Sequence, residues 1–182
     1  MSTHRIHTIE SAPEKSKPAL RDLRKTFGFI PNVAGAMAES PVLISAFVPV
    51  FHEVHAGSFS EPEIQVVLLT NAVTNSATWP VALHSKLALD AGVTADDVQA
   101  IRARRAPKDA RLAALSGLAR VMIEKRGHVE ERDIAAFREA GFGQDLVLEL
   151  ITIVAASAIT NYTASITKPA LEAALQPHAW SA

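Results

Sequence analysis

The chain has 182 residues, 48% of them apolar and only 5% aromatic, which suits a single domain spanning residues 1–182 with an interior of Ala, Leu, Val and Ile. Its 18 basic and 19 acidic side chains are mixed along the sequence and leave a net charge of −1, which argues against a phosphate-binding footprint and against nucleic acid as a partner. There is no cysteine, so no sulfenic acid, no intramolecular disulfide and no thiol-dependent peroxide reduction can arise on this chain.

In chain order, residues 1–12 read as an extended N-terminal arm. They lack the apolar core of a signal peptide, so a cytoplasmic location is expected. Pro13-Glu14 opens a helix to about Thr26, and Gly28 is placed to end it. Asn32 is placed to cap the short helix that follows, Val33 to Ala38. Pro41 opens a third helix to about His55, with Leu43, Ile44, Phe47, Val50, Phe51 and Val54 as its apolar stripe. Pro49 should kink it. His52 and His55 are spaced as a metal pair would be, but no third ligand is near them in sequence, and no metal is expected.

Ser60-Glu61-Pro62-Glu63 is a strong helix start, a capping box with proline in the first turn. The helix from there to about Ser76 is apolar enough to be central, and Gln65 lies near its beginning. Residues 60–92 form a helix-turn-helix core around Thr74-Asn75-Ser76-Ala77-Thr78-Trp79-Pro80-Val81-Ala82-Leu83-His84-Ser85. If Thr78 caps the second helix, Ala77, Pro80 and His84 share one side of its first two turns. Gly92 ends that helix, and Thr94-Ala95-Asp96-Asp97 starts another with a hydroxyl cap and an acidic first turn. Residues 102–109 read as a basic, solvated linker. Helices follow over Asp109 to Arg126 and Val129 to Ala140, and Leu146 to Thr160 is apolar nearly all round. The apolar run Leu146 to Ile159 contains Glu149 and is shorter than the roughly 20 residues that cross a bilayer, so no membrane partner is expected. A last helix is expected after Pro169, ending near Leu175. No strand alternation persists, and the fold class is all-α with about 8 to 10 helices. The mean hydropathy of +0.15 is high for a monomer, and a homo-oligomer is a natural home for the surplus apolar surface.

The frame around Asn75, His84 and Ser85 resembles the alkylhydroperoxidase D-like, or carboxymuconolactone decarboxylase-like, family, whose motif runs roughly Asn-x-Cys-x-x-Cys-x-x-x-His-Ser. In that alignment the two cysteine places hold Ala77 and Pro80, and the place of the family's proton-relay glutamate holds Gln65. A Gly-Phe-x-Pro-Asn segment upstream, here Gly28 to Asn32, extends the likeness. The resemblance implies a compact orthogonal helical bundle, and a cysteine-free member of the family's peroxidase-related branch.

His84 is the retained relay residue and the leading candidate for chemistry, since imidazole titrates near neutral pH. Gln65 and Ser85 are its expected catalytic partners, and Asn75, Thr78 and Trp79 are pocket candidates, with Asn161 and Tyr162 also within consideration. Glu63 points about 200° away from Gln65 around the helix, so capping is its expected role. No cofactor is expected. The reading favoured is a redox-inactive family member with a pocket around His84 for an unknown small molecule. The alternatives are a cofactor-independent decarboxylase, isomerase or hydrolase using His84 as acid/base, and an antioxidant protein by resemblance alone.

Overall fold

Local signals build the helices of the computed structural model, which describes residues 4–181; the parts of the arm at positions 1–3 lie outside the described residues. Nine α-helices are present among them: α1 Lys17–Phe27, α2 Asn32–Met37, α3 Pro41–Ala56, α4 Glu61–Thr74, α5 Thr78–Asp90, α6 Ala95–Arg102, α7 Ala110–Glu124, α8 Glu131–Glu139 and α9 Gln144–Thr167. Two short 3₁₀ segments, Glu14–Ser16 and Ala173–His178, flank the set, and the described residues contain no strand. Helix starts are satisfied as their side chains dictate. Ser40, Thr94 and Asp109 each accept from the backbone N–H three residues on, and Ser60 with Glu63 closes a reciprocal capping box. Gly28, at φ +78°, ends α1 in the left-handed conformation that a Cβ disfavours.

α4 is the central element, with every residue from Glu63 to Val73 buried. It lies against α5, α7 and α9, and against α6 at one end. Three apolar clusters share these helices. One joins Leu20, Leu23, Met37, Ile44 and Trp79; a second joins Ile64, Leu115, Leu118, Phe137 and Leu150; a third joins Val66, Leu69, Val81, Val98 and Ile101. Such fully buried side chains each stabilise the fold by about 1.5–3 kcal/mol. The arm belongs to the first cluster through Ile9 and Ala12, and Gly35 lets it approach: a Cβ there would stand 2.7 Å from the Ile6 side chain and 2.9 Å from the His7 carbonyl.

The structure corrects four local expectations. Asn32 does not cap α2 with its side chain; its backbone N–H donates to Glu172 instead, at 2.6 Å, and its side-chain amide donates to the Ala170 carbonyl. α9 does not stop at Thr160 but continues to Thr167, because Asn161 and Thr163 are buried in the bundle rather than breaking the helix. By length and composition alone α9 could cross a membrane, yet it runs through the bundle against α2, α3, α4, α5 and α7. The segment after Pro169 forms a 3₁₀ turn instead of an α-helix, with Pro177 inside it. Arg102 is no linker residue: it closes α6, and its guanidinium donates to Ser85 Oγ and to the carbonyls of His178 and Ala179. α3 runs through Pro49 as one helix.

Candidate functional site

The turn between α4 and α5 is fixed by backbone geometry. Ala77 N donates to Ala72 O and Ser76 N to Val73 O, the paired bonds that close a helix C-terminus when the next residue is left-handed. That residue is Ser76, at φ 53°. Asn75 is the C-cap of α4, and its side-chain amide donates to Asn71 O. Ala77 then serves as N-cap of α5 without a side-chain bond, and Thr78, expected to cap, is the exposed first residue of the helix.

Beyond this turn the helices enclose a cavity of about 480 Å³, within the range of small-ligand sites. Its walls are mainly apolar. α5 contributes Trp79, Leu83 and Leu87, one i, i+4, i+8 ridge, with His84 beside it; α3 contributes Phe47, Phe51, Val54 and His55; α4 contributes Glu61, Gln65 and Leu68. Phe27 completes an aromatic cluster with Phe51, ring centroids 5.5 Å apart.

Four polar side chains in the wall form one chain of hydrogen bonds. His84 Nδ1 lies 2.9 Å from Gln65 Oε1, Gln65 Nε2 donates to Glu61 Oε1 at 2.6 Å, and His55 Nδ1 lies 3.0 Å from Glu61 Oε2. A carboxylate only accepts, so both of its neighbours donate to it. Gln65 must then turn its oxygen towards His84, and His84 must carry its proton on Nδ1. Nε2 is left with its lone pair and with no protein partner among the described residues. The chain runs from the surface inwards: the Glu61 and His55 side chains are 50% and 28% exposed, whereas Gln65 and His84 are 1% and 7% exposed.

Burial pushes the His84 pKa down from 6.5 to about 3, and the neighbouring His55 charge pushes in the same direction. At neutral pH His84 is therefore an uncharged imidazole. Nearby, His52 pairs with Asp22 rather than with His55, and the described residues contain no group of three metal-ligating side chains.

Several residues singled out in the sequence stand elsewhere. Ala77 and Pro80 are buried but do not line the cavity, nor do Asn75 and Thr78. Ser85, 100° round the helix from His84, donates to Val81 O and accepts from Arg102, so it belongs to the tail clamp. Asn161 is buried with its amide on Ser157 Oγ, and Tyr162 is exposed and does not line the cavity. Trp79 does line the cavity, and its indole N–H donates to Glu172 at 3.0 Å. Sequence reasoning missed Glu61 and His55 as parts of the site. The signal for Glu61 is its i, i+4 spacing to Gln65; His55, in the last turn of α3, meets it across the short loop into α4.

No protein-family model and no curated protein matches the chain. Solved structures do. An uncharacterized peroxidase-related protein from Ralstonia eutropha JMP134, described as an alkylhydroperoxidase AhpD core, superposes with a TM-score of 0.83 at 18% identity, covering 96% of this chain and 94% of that one. A peroxidase-related protein from Silicibacter sp. TM1040 gives 0.72 at 21% identity over 90% and 87%. The debrominase Bmp8, in a complex with 2,3,4-tribromopyrrole, gives 0.76 at 18% identity over 98% and 97%. The chain has the all-α alkylhydroperoxidase D-like fold, without a cysteine in it.

Proposed function

We propose that the protein is a redox-inactive member of this fold that binds a small, mainly apolar organic molecule in the cavity beside His84. The observation that carries the reading is the cavity itself: about 480 Å³ of largely aromatic and aliphatic wall, with the buried, uncharged His84 imidazole and its partner Gln65 as its buried polar groups. Thiol chemistry has no atom to act with. A neighbour of the same fold is complexed with a halogenated pyrrole, which supports a compact ring as the type of occupant.

Acid/base catalysis by His84 draws less support. Burial pushes its pKa down to about 3, so the imidazolium is scarce at neutral pH, which disfavours a general acid, and its basicity is correspondingly low. Binding is tested by titrating the protein with a panel of mono- and bicyclic aromatic compounds while following Trp79 emission and, independently, heat of binding. Saturable binding lost in a Leu83→Trp variant that fills the cavity supports the reading. Absence of binding across the panel sinks it.

We also propose a homo-oligomer. Leu148, Ile151, Tyr162 and Ile166 are all exposed, by 70%, 51%, 60% and 67%, and their spacing gathers them into an arc of about 60° along α9. A monomeric mass by light scattering at micromolar concentration is the contrary result.

A further inference from the structure

Which polarity does the buried imidazole offer to a ligand? The answer is set by its hydrogen-bond partners in the same wall. A glutamine amide has a donor end and an acceptor end, and flipping it would exchange them. Were Gln65 flipped, its N–H₂ would face His84 Nδ1, Nδ1 would have to hold the lone pair, and Nε2 would carry the proton. His84 would then present a donor.

Glu61 forbids that arrangement. Its two carboxylate oxygens are met by Gln65 Nε2 at 2.6 Å and by His55 Nδ1 at 3.0 Å. Flipping Gln65 would set its oxygen against a carboxylate oxygen at hydrogen-bond distance. Such a contact repels, whereas the present one is a charge-assisted hydrogen bond. Gln65 is 1% exposed, so water cannot easily stand in for a lost partner. His55 holds the carboxylate from its other side and lies against the Phe51 ring, centroids 4.6 Å apart, which limits where Glu61 can turn.

We infer that Glu61 is a positioning residue: acting through Gln65, it holds His84 in the Nδ1–H tautomer so that the cavity presents a hydrogen-bond acceptor, and the ligand is a neutral aromatic compound with one O–H or N–H donor. The inference rests on the proposed ligand role of the cavity. A phenol or an azole N–H satisfies Nε2 while its ring lies among Phe27, Phe51 and Trp79. An aromatic carboxylate or a thiolate offers only acceptors at its polar end, and Nε2 would repel it.

Two measurements test this separately from the pocket reading. The first needs no ligand. The ¹⁵N shifts and long-range couplings of the histidine rings in labelled protein at neutral pH report the tautomer directly. His84 shows the Nδ1–H form in the wild type and shifts towards Nε2–H or a mixture in Glu61→Leu and in Gln65→Leu. Glu61 is half exposed, so its replacement leaves the fold in place, and circular dichroism confirms that before the spectra are compared. An Nε2–H wild type, or a tautomer unmoved in both variants, overturns the inference even if ligands bind.

The second compares naphthol with its methyl ether by calorimetry. The wild type prefers naphthol by about five- to tenfold, the worth of one hydrogen bond, and Glu61→Leu loses that preference while still binding the ether. Equal binding of the two by the wild type refutes the ligand class. If neither binds, the pocket reading falls and the ligand class with it, while the tautomer measurement still decides the role of Glu61.

Discussion

Acidification acts on His84 with a magnitude that follows from its surroundings. Its folded pKa is near 3, against 6.5 for an ordinary histidine, because burial strips hydration from the charged form and His55 lies close by. In the unfolded chain the ring takes up a proton below about pH 6.5; in the folded protein it does not until about pH 3. Protonation therefore favours the unfolded state, and stability is lost as pH falls through that window. From about pH 7.5 to about pH 5 the loss attributable to this one ring is about 2 kcal/mol, or 1.36 kcal/mol for each pH unit below 6.5. That is a large fraction of the 5–15 kcal/mol typical of a domain. The assay is urea unfolding followed by circular dichroism at both pH values, for the wild type and for His84→Gln. Stopping near pH 5 spares the Glu63 carboxyl. Burial raises its pKa, but hydrogen bonds from Ser60 and Arg111 outweigh this and leave it below the usual 4.5, so its contribution disappears only in stronger acid. The other six histidines are common to both proteins, so the difference between the two pH slopes isolates His84. Identical slopes would refute a buried, neutral His84.

The remaining predictions concern chemistry, the C-terminal clamp and the turn. With no thiol present, the purified protein should consume no alkyl hydroperoxide at the expense of dithiothreitol; turnover that disappears in His84→Ala would contradict this. Glu172→Ala removes the acceptor of both the Asn32 N–H at the start of α2 and the Trp79 indole, and should lower stability by roughly 2–3 kcal/mol and red-shift Trp emission. An unchanged unfolding midpoint would show that this clamp is idle. Ser76→Gly relieves a left-handed φ of 53° worth about 1–2 kcal/mol, less about 0.5–1 kcal/mol of glycine entropy. A net gain of roughly 0.5 kcal/mol is expected in the same unfolding assay, and a loss above about 1 kcal/mol would mean that the exposed Ser76–Arg104 contact matters more than the backbone.

Much of the architecture was legible because its signals are local. Ser60 with Glu63, Thr94 and Gly28 act within one helical turn, and the 3.6-residue periodicity of α1, α3 and α7 needs only its own segment to be seen. The errors fell where a distant group intervened. A side-chain cap at Asn32 is the local way to satisfy the start of α2; Glu172, 140 residues away, supplies the acceptor instead. Arg102 read as solvated because basic residues surround it in sequence, yet it holds the tail by two carbonyls.

For the candidate site, composition alone decided one thing beyond appeal: without cysteine there is no thiol redox chemistry, whatever the fold. The sequence also placed His84 and Gln65 on adjacent helices. The tertiary structure decided that Ala77 and Pro80 stand outside the cavity while Trp79, Leu83 and Leu87 wall it, and that Ser85 faces Arg102. It also joined His55, Glu61, Gln65 and His84 into one chain. The physical reason is range. Covalent inventory and helix periodicity are properties of the chain, whereas burial, tautomer and pKa depend on what other helices bring within about 3 Å of a side chain.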